Sequence, residues 1–88
     1  MLKWLAGLYD HNMTDAYENN SVIYRVTYFS QYNYHGALSI RTGKWLPENL
    51  RPMDKHRGSI IYLPDCQFAT KEQAMAICER HYRRLLLQ

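Results

Sequence analysis

The stretch that begins at Thr70 constrains the fold more than any other part of the chain. Thr70-Lys71-Glu72-Gln73 has the form of a capping box. The threonine oxygen accepts from the third helical amide, and the glutamine side chain reaches back to the cap amide. Downstream, Ala74, Ile77, Cys78, His81, Tyr82 and Leu85 recur at spacings of three and four, which draws one apolar stripe along a helix. Glu79 and Arg83 form an i, i+4 pair. Arg80, Arg83 and Arg84 sit in the last turns, where the helix dipole favours cations. Such a stripe has to be covered, and the rest of the chain offers mainly strands to cover it.

Val22 to Phe29 is the clearest of these, rich in β-branched and aromatic residues. Val22, Tyr24, Val26 and Tyr28 share one parity and form the expected core face. Ser30 to Gly36 reads as a connection with Asn33 and Gly36 as turn residues. Ala37 to Arg41 alternates as a second strand, Thr42-Gly43 signals a turn, and Lys44 to Leu46 reads as a short return strand. Pro47 to Gly58 reads as a loop, and Ser59 to Leu63 as a compact apolar strand stopped by Pro64. At the start, Met1, Leu5 and Leu8 have helical spacing, which predicts a short N-terminal helix over Met1 to Tyr9. Asp10 to Ser21 is polar and reads as a loop, with Thr14 placed to cap a single turn through Tyr17. The expected architecture is one α+β domain over residues 1–88. It has a small antiparallel sheet of three to four strands packed by a long C-terminal helix, with a short helix at the N-terminus.

Eighty-eight residues make one domain with a thin stability margin. No apolar run approaches the roughly 20 residues that span a bilayer, and no partner membrane is expected. Met1 to Tyr9 has neither the apolar core nor the cleavage site of a signal peptide. With only Cys66 and Cys78, the expectation is a cytoplasmic protein with both thiols free. The net charge is +3. Tyr9 to Asn20 carries Asp10, Asp15 and Glu18 and no cation, whereas Arg80, His81, Arg83 and Arg84 make the other end basic.

Enzyme chemistry finds little footing. There is no phosphate-binding glycine loop, and the eight acidic residues are dispersed rather than paired. Cys78 and His81 share a helix face, as zinc ligands would. They also lie on the core stripe, and no C-x-x-C pair accompanies them. We therefore expect no catalytic residues, no metal and no cofactor. Tyrosine stands out, with eight in the chain and Tyr24, Tyr28, Tyr32 and Tyr34 close together. Tyrosine buries a large ring yet keeps a polar tip, and so suits surfaces that are dry in a complex and wet alone. Tyr32, Tyr34 and Trp45 are the expected anchors for a partner protein, with Arg51, Lys55 and Arg57 as a charged rim. The alternative is a nucleic-acid-binding module that uses Arg41, Lys44, Arg80, Arg83 and Arg84 on phosphates.

The join Phe68-Ala69-Thr70-Lys71-Glu72-Gln73-Ala74 resembles one common in small prokaryotic and phage α+β proteins. It also resembles the sheet-plus-helix arm-binding domains of phage-type integrases. Those domains put strongly basic strands in a DNA groove, whereas the strands here hold only Arg25 and Arg41. In type, a small domain with an aromatic loop resembles phage-encoded host inhibitors such as anti-CRISPR proteins. That resemblance implies a non-enzymatic inhibitor that binds a host nucleic-acid-processing or defence complex.

Overall fold

The computed structural model describes residues 2–6, 12–46 and 66–87. Among them are five strands: β1 (Lys3–Ala6), β2 (Met13–Glu18), β3 (Ser21–Phe29), β4 (Tyr34–Ser39) and β5 (Lys44–Trp45). One helix follows, α1 (Lys71–Leu86). The strands form an antiparallel meander in the order β1-β2-β3-β4-β5. The α+β class holds, and the sheet is one strand larger than expected.

Both N-terminal elements differ from the sequence reading. The expected helix over Met1 to Tyr9 is replaced at residues 3–6 by strand β1. Leu2 is buried and Trp4 is half-buried, while Lys3 and Leu5 are exposed, a period of two rather than 3.6. The polar stretch with its Thr14-capped turn is instead strand β2. Its reason is the Asn19-Asn20 pair, with φ of 52° and 71° between the partners Glu18 and Ser21. Two consecutive left-handed residues make the primed turn whose twist matches a hairpin, and asparagine tolerates that region well.

β3 forms as expected, but its core face is re-phased by a bulge. The β2–β3 register slips between Ala16 and Tyr17, so Tyr24 faces Ala16 while Val22 faces Tyr17. Ile23 is thereby left without a β2 partner. Such a bulge turns two successive side chains toward one side, and Ile23 and Tyr24 are both in the core. Val22 is only half-buried.

Asn33 is a turn residue as expected, left-handed at φ 57°. Gly36 is not: β4 begins at Tyr34, and Gly36 lies inside the strand opposite Thr27. β4 ends at Ser39, two residues before the expected Arg41. Gly43, at φ 69°, closes the next turn through its amide to Ser39 O at 2.8 Å.

The capping box is present in full: Gln73 N donates to Thr70 Oγ1 at 3.1 Å, and Thr70 N donates to Gln73 Oε1 at 3.2 Å. From the stripe, Ala74, Ile77, Cys78 and Tyr82 are buried; His81 is half-buried and Leu85 is exposed. These helical residues close over Ala16, Ile23, Tyr24, Val26 and Ala37 of the sheet, joined by Leu2, Leu46 and Phe68. Leu46 N donates to Ala37 O at 2.8 Å, and Phe68 exchanges two bonds with His35 at 2.7 and 2.9 Å. The chain on either side of residues 47–65 is thus anchored to the same edge of β4. The expected loop Pro47 to Gly58 and strand Ser59 to Leu63 lie outside the described residues. No helix among the described residues is long and apolar enough to cross a membrane.

Candidate binding surface

Strand alternation divides the sheet into a face covered by α1 and a second face. The second face carries a chain of aromatic rings. Phe29 and Tyr34 are cross-strand partners with centroids 5.2 Å apart. Phe29 meets Trp45 at 5.5 Å, and Tyr34 meets Tyr32 at 6.0 Å. Tilted geometries at these distances suit the ring quadrupoles. The Trp45 ring lies over Gly36, where an added Cβ would stand 2.7 Å from Cζ3 and 3.1 Å from the Phe29 ring. A glycine inside a strand marks such a close approach. The indole Nε1–H of Trp45 is buried without an acceptor.

The three expected aromatic anchors are therefore brought together, linked by Phe29, which sequence reasoning had not singled out. Its signal was its position at the end of β3, on the parity opposite to Tyr24 and Val26. The anchors are not equivalent. Tyr32 lies in the β3–β4 turn and is 40% exposed. Tyr34 is not a loop residue: it opens β4 and is only 9% exposed. Trp45 is half-buried. Arg51, Lys55 and Arg57 lie outside the described residues.

In the same cross-strand row as Trp45, reached through Leu38, Arg25 and Asp15 are partners. Arg25 Nε donates to Asp15 Oδ1 at 2.7 Å, and Nη2 donates to Oδ2 at 3.1 Å. Asp15 is almost fully buried beneath this two-pronged contact. The bond to Asp15 raises the Arg25 pKa further above its ordinary value.

A second polar group ties the sheet to α1. Tyr82 Oη donates to Glu18, whose other oxygen accepts from Arg41 Nη2 at 2.6 Å. The Tyr82 hydroxyl, then the Arg41 charge, holds the Glu18 carboxyl below the usual range against the opposing effect of burial. Tyr24 Oη lies 2.6 Å from His81 Nδ1, and burial pushes the Tyr24 hydroxyl up to about 12. The phenol therefore keeps its proton across the ordinary pH range. Burial, then the nearby Arg84 charge, lowers the His81 pKa. Trp4 Nε1 donates to Glu79 at 2.8 Å.

The cations of the nucleic-acid reading lie on three elements, with Arg41 linked through Glu18 to Tyr82 of α1. Arg41 is engaged by Glu18. Lys44 is exposed at the start of β5, and Arg80, Arg83 and Arg84 are exposed on α1. Cys66 and Cys78 are free and buried, and burial pushes the Cys78 thiol up to about 12. His81 offers its Nδ1 to Tyr24 rather than to a site shared with Cys78. Among the described residues, no group of three His, Cys, Asp or Glu side chains is placed to hold a metal ion. No protein-family description, curated protein or solved structure matches this chain.

Proposed function

We propose that the protein is a non-enzymatic binding module that docks onto a partner protein through the Tyr32 end of the aromatic ridge. One observation carries this reading. Tyr32, Tyr34, Phe29 and Trp45 form a continuous run of rings on the face away from the helix, and none of the four belongs to the core between sheet and helix. Large aromatic rings set around a partly exposed tyrosine are the typical anchors of a protein interface. The narrower form of the proposal, supported by the resemblance of type, is a mobile-element inhibitor acting on a host nucleic-acid-processing or defence complex in the cytoplasm.

The test is capture of partners by the tagged chain from a bacterial lysate, with and without nuclease. A stoichiometric protein that survives nuclease and is lost with Tyr32→Ala supports the proposal. The second reading, nucleic-acid binding, is favoured by the exposed Arg80, Arg83 and Arg84. It requires retention that disappears with nuclease and an affinity that falls steeply with salt.

A further inference from the structure

The last turns of α1 expose an apolar patch that the proposed docking surface does not use. Leu85, Leu86 and Leu87 follow one another there and all are exposed, Leu86 by 63% and Leu87 by 87%. They are three of the six large hydrophobic side chains that the described residues expose. Single exposed leucines are ordinary, whereas a contiguous group marks a contact surface. Leu87 is the C-cap and keeps right-handed helical geometry, at φ −88° and ψ −4°. Consecutive helical residues lie about 100° apart around the axis. The three side chains therefore spread around the helix end rather than along one stripe.

The same turns carry charge of one sign. Arg80, Arg83 and Arg84 are exposed, and no acidic residue follows Glu79 in the helix. Glu79 is engaged elsewhere, since its Oε2 accepts from Trp4 Nε1 at 2.8 Å. Among the described residues the ion pairs are Asp15–Arg25 and Glu18–Arg41, so the three arginines belong to neither. Positions 80, 83, 84 and 87 recur at helical spacings of three and four, and Leu87 thus continues the arginine row. The helix dipole favours cations at this end, but it gives no reason for leucines in water. The result is an apolar tip collared by unpaired guanidinium groups.

From this arrangement we infer that the end of α1 binds the surface of an anionic lipid bilayer. The leucines enter the boundary between headgroups and acyl chains, and the arginines meet the lipid phosphates. Charge complementarity selects an anionic partner over a second copy of this chain, which would bring like charges together. The spread of the leucines selects a bilayer over a protein groove. A groove receives one apolar face of a helix, whereas fluid lipid surrounds a helix end on every side. Long arginine side chains reach back to the headgroups while their stems lie in the apolar layer. Binding of this kind lies on the membrane and needs no spanning run.

The experiment is flotation of the full chain with two kinds of vesicle at physiological salt. One is phosphatidylcholine alone; the other is phosphatidylcholine and phosphatidylglycerol in equal parts. The expected result is saturable binding to the anionic vesicles and little to the neutral ones. Each cation near such a surface is worth roughly fivefold, so Arg80→Gln with Arg83→Gln should weaken binding roughly 25-fold. Leu86→Gln with Leu87→Gln keeps the charge and the helix propensity and should weaken it roughly tenfold or more. Lys71 lies about 18 Å along the helix from Arg83, beyond the screening length of about 8 Å. Lys71→Gln and Tyr32→Ala are therefore expected to bind as the unmodified chain does, and melting temperatures confirm that every variant is folded. Absence of binding to the anionic vesicles would overturn the inference. Full binding by the leucine variant, or equal weakening by Lys71→Gln, would also overturn it by reducing the effect to general charge attraction. Binding to soluble polyglutamate without binding to vesicles would overturn it in favour of an acidic protein partner.

Discussion

The indole ring of Trp45 rests on Gly36, close enough that a single added methyl would stand 2.7 Å from the ring. This contact sets the height of the aromatic ridge above the sheet. Gly36→Ala should push Trp45 away from Phe29 and cost about 1–3 kcal/mol, the usual range for overpacking. The check is a thermal melt together with near-ultraviolet circular dichroism, which reports aromatic packing. An alanine variant with an unchanged melting temperature and spectrum would contradict the contact.

The Asp15–Arg25 pair predicts an asymmetry between its two partners. Asp15 is nearly enclosed, with a side chain 9% exposed, while that of Arg25 is 36% exposed. Removing the arginine strands a buried carboxylate; removing the carboxylate leaves a guanidinium that reaches water. Arg25→Met is therefore expected to cost about 3 kcal/mol and Asp15→Asn only about 1 kcal/mol. Denaturant titrations measure both, and equal losses would contradict this account of the burial.

The links between sheet and helix make stability depend on pH in two windows. Glu18 has a folded pKa below its ordinary value. Its contribution is fully present above the ordinary glutamate range, about 4.3, and is lost as pH falls through the folded value. His81 is likewise depressed, so its contribution is present above about 6.5 and is lost as pH falls through its folded pKa. Tyr82→Phe, which removes the hydroxyl from Glu18, should flatten the lower window. His81→Gln, which keeps an acceptor near Tyr24, should flatten the upper one. Melting temperature against pH for the three proteins decides the matter, and parallel curves would contradict both assignments.

The legible parts of this sequence were those where local chemistry and final environment agree. Thr70 and Gln73 serve each other within four residues, and the stripe from Ala74 to Tyr82 needs only a surface to bury it. β1 and β2 were obscured for different reasons. Four residues of β1 cannot separate a period of two from a period of 3.6, and Met1, Leu5 and Leu8 imitate a helix. β2 contains Asp15 and Glu18, which read as loop residues until their partners Arg25, Arg41 and Tyr82 are known. The bulge at Ile23 has no local marker, because it arises from the pairing of β2 with β3. For the candidate site, Tyr32, Tyr34 and Trp45 do lie in one run of rings, but Tyr34 is a strand residue and not the loop residue the sequence suggested. A tyrosine beside Asn33 looks like part of the turn, whereas the turn ends there and β4 begins.

That difference decides which tyrosine can test the proposed function. Tyr34→Ala would remove a buried ring and is expected to lower stability as well as binding, so it separates nothing. Tyr32→Ala trims a side chain that is 40% exposed and should leave the fold intact. The most direct measurement sets nuclease-resistant partner capture by Tyr32→Ala beside its melting temperature. The expected result is loss of the captured protein with a melting temperature equal to that of the unmodified chain. Undiminished capture by a folded Tyr32→Ala protein would contradict the aromatic ridge as the docking surface.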